Sequence, residues 1–363
     1  MKQRIVFIDI LRAFAVFSML QGHTIDAFLA DSYRNYENIY FLLWTYVRGF
    51  TAPVFLFTSG MIFTLLFFKA GGYVKENPRV KKTYLKIAGL FVLGYFFRAR
   101  VDMILFLYTY PLDEIKRLLQ VDILQLFSIS MLLLMGVFYF LRKRQNLTAV
   151  VLVAAGVFFF LMEYAVKGII IDNRYLLPFT AYLNRQTGSN FPPFPWTGFY
   201  FFGSAAGILL FRCGDNIQAR INLYKRFSYT GFIVLVIVSI IDYFGVPLID
   251  NYSFWDNPVL AFFRIGLIFF ITGFLARITE GMRGINQWLL YLSKNSLWVY
   301  AVHITIVYGS AYTLGFIYLF NRNLNLLQSI LSVFWVLGAT IIILKMKDRA
   351  IEFYRSRSSL AAE

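Results

Sequence analysis

The chain is almost without cysteine. Cys213 is the only one in 363 residues, so no intramolecular disulfide can form, and its plain reading is a small, isolated apolar side chain. Histidine is nearly as scarce, at two. His23 and His303 make no metal-ligand spacing with each other or with the cysteine, so no metal is expected. There is no G-x-S-x-G elbow and no glycine-rich phosphate loop ahead of a lysine, which argues against serine hydrolase chemistry and nucleotide hydrolysis in cis. No polar, proline-rich or glycine-rich linker of domain scale divides the chain. One integral-membrane domain over residues 1–363 is therefore expected.

Charge is sparse, at 15% of residues, while apolar residues make up 59%. Mean hydropathy is +0.63, well outside ordinary soluble composition. Apolar runs of bilayer-spanning length recur throughout. They predict an all-α, polytopic membrane protein with about ten transmembrane helices, near 8–29, 47–68, 83–107, 121–141, 147–167, 194–212, 227–245, 258–278, 286–310 and 325–346. The basic start and apolar continuation imitate a signal peptide, but Asp9 and Arg12 interrupt the run and no clear A-x-A site follows. An uncleaved first helix is expected.

Basic residues outnumber acidic ones, 35 to 19, for a net charge of +16. They fall in every second connection: Lys69 to Lys86, Arg142 to Arg144, Arg212 to Arg226, Arg277 with Arg283, and the tail from Lys345. The intervening connections are neutral or acidic, as at Asp250 and Asp256. This pattern is explained by topology rather than by nucleic-acid binding. It places both termini and the basic loops in the cytoplasm, and the polar 168–193 connection on the outer side.

Within this apolar background a few ionisable groups stand out, because their burial in a membrane is costly. In the opening FIDILRAFAVFSMLQGH, Arg12 and His23 are eleven residues apart. They therefore return to within about 20° of one helix face, with His23 about 16 Å further along the axis. Asp26 lies about 40° to the other side, and Asp9 one turn before Arg12, where the two can pair. Further along come Pro53 in TAPVFLFTSGM, Arg98, Arg100 and Asp102 in FFRARVD, and Asp122 with Gln125 in VDILQLFSIS. Trp196 follows three prolines in FPPFPWTGFYFFG, and Ser296 shares a face with His303 in NSLWVYAVH. For each, a packing or hydrogen-bonded structural role is the plain alternative.

Taken in order, these segments resemble the transmembrane acyltransferase superfamily with its R-x10-H signature (Arg12, His23). The closer likeness is to bacterial relatives of heparan-α-glucosaminide N-acetyltransferase, which are related to the acyltransferase-three family. Many relatives carry Arg-Gly where this chain has Arg12–Ala13. The resemblance implies transfer of an acyl group, expected to be acetyl, from cytoplasmic acyl-CoA to a sugar hydroxyl or amine of a glycan or glycolipid on the outer side. It also implies a bacterial cytoplasmic membrane.

On that reading His23 is the general base, with an acyl-histidine intermediate as the other route. Asp26 orients His23, and Asn295, Ser296 or His303 steadies the oxyanion. Asp9, Arg12, Arg98, Arg100, Asp122, Gln125 and Trp196 are expected to bind the donor. The expected partners are the bilayer, acyl-CoA and the acceptor, with room for a homodimer. A secondary transporter or flippase for an anionic or glycan substrate is the competing class, and a non-catalytic scaffold the third.

Overall fold

Membrane-length apolar runs leave a backbone one way to satisfy its polar groups without water, and the chain takes it. The computed structural model describes residues 5–71, 74–99, 105, 109–141, 144–171, 173–244, 258–282 and 284–360. They form an all-α, polytopic membrane protein. Eight helical stretches among them are long and apolar enough to cross a bilayer. The strands described, Gly309–Ser310 and Thr313–Leu314, make one short antiparallel hairpin.

The helices divide between two compact units. The first takes residues 1–11 and 52–284. It holds the start of α1 (Val6–Phe28), then α3 (Thr51–Lys69) from Ala52 on, α4 (Val80–Phe96) and α5 (Leu112–Leu119). It continues with α6 (Ile123–Leu141), α7 (Gln145–Val166), α8 (Leu177–Thr180), α9 (Pro193–Cys213), α10 (Ile217–Tyr243) and α11 (Pro258–Ile278). Within it α7 packs along α9, α10 along α11, and α4 along α6.

Small residues set the closest approaches. A methyl group on Gly203 of α9 would overlap the Phe57 carbonyl of α3, and one on Gly60 would overlap the Tyr200 carbonyl. Helices in lipid gain from such backbone proximity, since no hydrophobic force separates lipid-facing from helix-facing leucine.

The second unit takes residues 12–51 and 285–363. It comprises α1 from Arg12 on, α2 (Ile39–Gly49), α12 (Gln287–Lys294), α13 (Ser296–Tyr308), the hairpin, α14 (Ile317–Phe320) and α15 (Leu326–Leu360). Asn38 caps α2 by accepting the Tyr40 and Phe41 amides, as a short side-chain acceptor does at an N-terminus. The end of α1 is tied to the segment before α15. Ala30 donates to the Leu324 carbonyl at 2.9 Å, and Leu324 to that of Phe28 at 2.9 Å.

Several expected spans differ from the observed helices: α10 begins at Ile217 rather than 227 and α15 runs to Leu360 rather than 346, and two others change the reading of particular residues. The third ends at Phe96 rather than 107, so Arg98 lies in the turn beyond it and not deep in a span; Arg100 and Asp102 are outside the described residues. The ninth breaks at Asn295 into an eight-residue and a thirteen-residue helix. The break falls at Asn295, whose backbone (φ −97°, ψ 19°) leaves helical values; its side-chain amide also donates to the Tyr291 carbonyl at 3.1 Å.

Candidate active site

The second unit brings the two histidines together. His23 comes from α1 and His303 from α13, and their Nδ1 and Nε2 atoms are 3.1 Å apart. The ring planes are within 20° and the centroids 5.2 Å apart, which suits two imidazoles meeting edge to edge. His303 is fully buried, whereas His23 is partly exposed. The protonation pattern follows from a third group. His303 Nδ1 lies 2.6 Å from the Val299 carbonyl one turn earlier. A carbonyl only accepts, so Nδ1 carries the hydrogen and the neutral ring's Nε2 is an acceptor. His23 Nδ1 must then donate to it. His23 Nε2 keeps its lone pair, on the less completely buried of the two residues.

Tyr308 closes one flank. Its hydroxyl donates to the His23 carbonyl at 3.2 Å, and its ring stands edge-on to the His23 imidazole at 5.9 Å. Tyr300 stands edge-on to His303 at 5.9 Å. The imidazole pair is thus braced by two aromatic rings and one backbone carbonyl.

The Asp26 carboxylate is engaged by arginines. Its Oδ1 accepts from Arg48 Nη1 at 2.9 Å and from Arg34 Nη1 at 3.2 Å. Arg34 also donates to the Asp26 carbonyl at 2.6 Å and to the Leu29 carbonyl at 3.1 Å. Two guanidiniums hold this carboxylate more firmly than a ring on its own helix can. The ring that meets His23 Nδ1 is that of His303.

The three oxyanion candidates also separate. His303 has committed its donor to Val299. Ser296 and Asn295 sit seven and eight residues before it, about 10–12 Å down the helix axis. Ser296 Oγ accepts from Arg12 Nη2 at 2.9 Å. Asn295 Oδ1 faces Lys347 Nζ at 3.5 Å. These residues make a second polar centre at the start of α13, remote from the imidazoles.

The remaining expected site residues lie in the first unit. Asp9 is buried there. Arg98 pairs with Asp122 and Gln120, and Asp122 also accepts from Asn190 at 2.9 Å. Gln125 accepts the Asp122 amide at 3.2 Å, the reciprocal half of a capping box that starts α6. Two neighbouring amides, of Asn190 and Phe191, donate to the Val121 carbonyl at 3.1 and 3.0 Å. This cluster ties the start of α6 to the segment entering α9. Trp196 is buried against Phe191, with ring centroids 4.9 Å apart. The indole nitrogen of Trp196 and the amide nitrogen of Gln125 have no hydrogen-bond partner among the described residues. Nearby, the Tyr95 and Tyr182 hydroxyls meet at 2.7 Å. Burial, and then that bond, push the Tyr182 phenol far above its ordinary pKa.

Sequence reasoning missed Arg34, Arg48, Tyr308 and Lys347. Only Arg48 carried a signal, a cation at the head of a proline-containing apolar helix.

Among the described residues no group of three or more His, Cys, Asp or Glu side chains could hold a metal ion. A family model described as heparan-alpha-glucosaminide N-acetyltransferase, catalytic, matches residues 4–243. It takes in Arg12 and His23 and ends before α11, so His303 lies beyond the matched stretch. No curated protein and no solved structure matches the chain.

Proposed function

The chain belongs to the heparan-alpha-glucosaminide N-acetyltransferase catalytic family, a membrane acetyltransferase family, and from that premise we propose that it moves an acetyl group from acetyl-CoA to a sugar amine or hydroxyl, with His23 as general base. The observation that carries the reading is the bond between His23 Nδ1 and His303 Nε2. It leaves a single unprotonated nitrogen on His23, the less completely buried of the two residues.

In this mechanism His23 Nε2 takes the acceptor's proton as its nitrogen or oxygen attacks the thioester carbonyl. The tetrahedral intermediate collapses, the C–S bond breaks, and the proton passes from His23 to the departing sulfur. The imidazolium formed in between keeps its Nδ1–H on His303, whose other nitrogen is held by Val299. His303 is a positioning residue: it fixes the tautomer and spreads the transient charge, as a second group behind a catalytic histidine does elsewhere. Transfer is direct, so CoA is released only when acceptor is present.

The test follows labelled acetyl from acetyl-CoA in membranes carrying the wild type or His23→Ala at equal protein levels. The wild type should label an extractable sugar product. His23→Ala should lower the rate by on the order of 10²–10⁴. Label that stays on the protein with donor alone would replace direct transfer by an acyl-histidine route. Equal labelling in both membranes would remove His23 from the chemistry.

A further inference from the structure

The polar cluster at the start of α6 lies wholly within the first unit, and the transfer mechanism above leaves it unused. Three segments meet there. Arg98, in the turn after α4, pairs with Asp122 and donates to Gln120. Asn190, in the segment entering α9, donates to the Asp122 carboxylate at 2.9 Å. Asp122 is thus fixed from two directions while its side chain stays 18% exposed, and Asn190 is open to the surface.

Two N–H donors at this junction have no partner among the described residues. Gln125 spends its oxygen on the Asp122 amide at 3.2 Å, which leaves its nitrogen unbonded. Its amide group is pressed against Gly94 of α4, where an added methyl carbon would come within 2.5 Å of it, so it has little room to turn. Trp196 rests on Phe191 with ring centroids 4.9 Å apart, and the Phe191 amide donates to the Val121 carbonyl at 3.0 Å. The indole nitrogen is the second unbonded donor. Both side chains are buried, Gln125 at 0% exposure and Trp196 at 2%. Burying a donor without an acceptor is costly, so two at one junction mark a place where the oxygens of a ligand are stabilising. The chemistry of the set says which ligand. Arg98 and Asp122 cancel each other's charge, and a phosphate calls for cations that are not already paired. A carboxylate with lone pairs to spare, two amides and an indole N–H offer acceptors and donors side by side. That matches a ring bearing several hydroxyls, each able to donate and accept.

We propose that Asp122, Asn190, Gln125 and Trp196 form a subsite for a sugar ring of the acceptor. The proposal rests on the acetyl-to-sugar reading above. It gives to the acceptor three residues, Asp122, Gln125 and Trp196, that the family resemblance gives to the donor. Asp122 accepts from ring hydroxyls, Gln125 and Trp196 donate to ring oxygens, and Asn190 holds the carboxylate in place. The charge pattern agrees with this division. It puts the end of α4, the start of α6 and the 168–193 connection on the outer side, away from a cytoplasmic donor.

The test uses the full-length protein in neutral-lipid nanodiscs, with methyl α-glucoside and methyl α-glucosaminide as sugar probes and CoA binding measured separately. Trp196→Phe removes an N–H that bonds to nothing in the described fold, so a purely structural tryptophan would lose no hydrogen bond by it. The variant should weaken sugar binding about tenfold, roughly the worth of one hydrogen bond, and leave CoA affinity at the wild-type level. Asn190→Ala changes an exposed side chain and should act in the same direction, which keeps the test open if Trp196→Phe does not accumulate. Gln186→Ala, on the same connection, should leave both affinities unaltered. Equal losses of sugar and CoA affinity, or a loss of CoA affinity alone, would overturn the subsite while leaving the transferase reading intact. Sugar affinity unmoved in both variants would overturn it as well. A wild type that binds neither glycoside yet acetylates the membrane's own glycan pool would overturn the subsite alone. A wild type that transfers no acetyl group to any sugar would overturn both readings.

Discussion

A histidine that donates through Nδ1 to a second histidine has only one nitrogen left for chemistry, and that arrangement predicts how substitutions should rank. His303→Leu removes the acceptor behind His23, freeing its ring to turn and to exchange tautomers. The expected result is a fall in kcat on the order of 10²–10⁴, as when an orienting group behind a histidine base is lost, with KM for the donor nearly constant. His303→Gln sets an amide oxygen close to where Nε2 stood and should restore part of that loss. A merely structural role would make both variants equally poor, so the leucine-to-glutamine difference in steady-state kinetics is the informative reading. Asp26 belongs to a different interaction. With Asp26→Ala the Arg34 and Arg48 guanidiniums lose a shared acceptor while both remain largely buried. Charge-assisted hydrogen bonds of this kind are worth about 1.5–3 kcal/mol, and a loss in that range should appear in thermal unfolding in detergent. The spacing of Asp26 from His23 could not reveal this. Neighbours on one helix face are legible in a sequence, but the two arginines come from a loop and from another helix.

Helices were the most legible level. Apolar runs and their basic borders located the helical segments, because hydropathy reports the solvent that a segment faces. The bounds of several helices were misplaced, two of them at residues the site reading uses. The apolar pattern places Arg98 inside a span, yet it lies in the turn beyond α4, paired with Asp122. The apolar pattern runs one helix through Asn295, yet the backbone there leaves helical values and divides α12 from α13. Glycine packing gives this scale its own prediction. Gly203 has no room for a side chain against the Phe57 carbonyl, so Gly203→Val must push α9 away from α3. Overpacking costs about 1–3 kcal/mol. It should lower the midpoint of heat-induced loss of monodisperse protein, whereas Gly136→Val, at a position with open space, should not.

Over the whole molecule, the candidate site joins residues that no local pattern connects. His23 and His303 are 280 residues apart in sequence, and Arg12 and Ser296 are 284 apart. The sequence marked all four as unusual in a membrane helix, but it could not pair them, because pairing depends on how α1 and α13 lie together. The charge pattern makes a separate prediction at this scale. A reporter fused after residue 360 should be active only on the cytoplasmic side, and a cysteine placed at Gln186, exposed in the 168–193 connection, should react only with reagent added outside. The opposite labelling would place the proposed sugar subsite on the cytoplasmic side.

The scarcity of histidine allows the central claim to be read directly. With two histidines in the chain, protein labelled with 15N at the imidazole nitrogens yields two ring spectra, and His23→Ala assigns them. The account predicts that both neutral rings are protonated at Nδ1 and bare at Nε2, with a coupling or shift change at His303 when His23 is removed. A His23 ring protonated at Nε2 would contradict it, since the nitrogen assigned as the base would then already hold a proton.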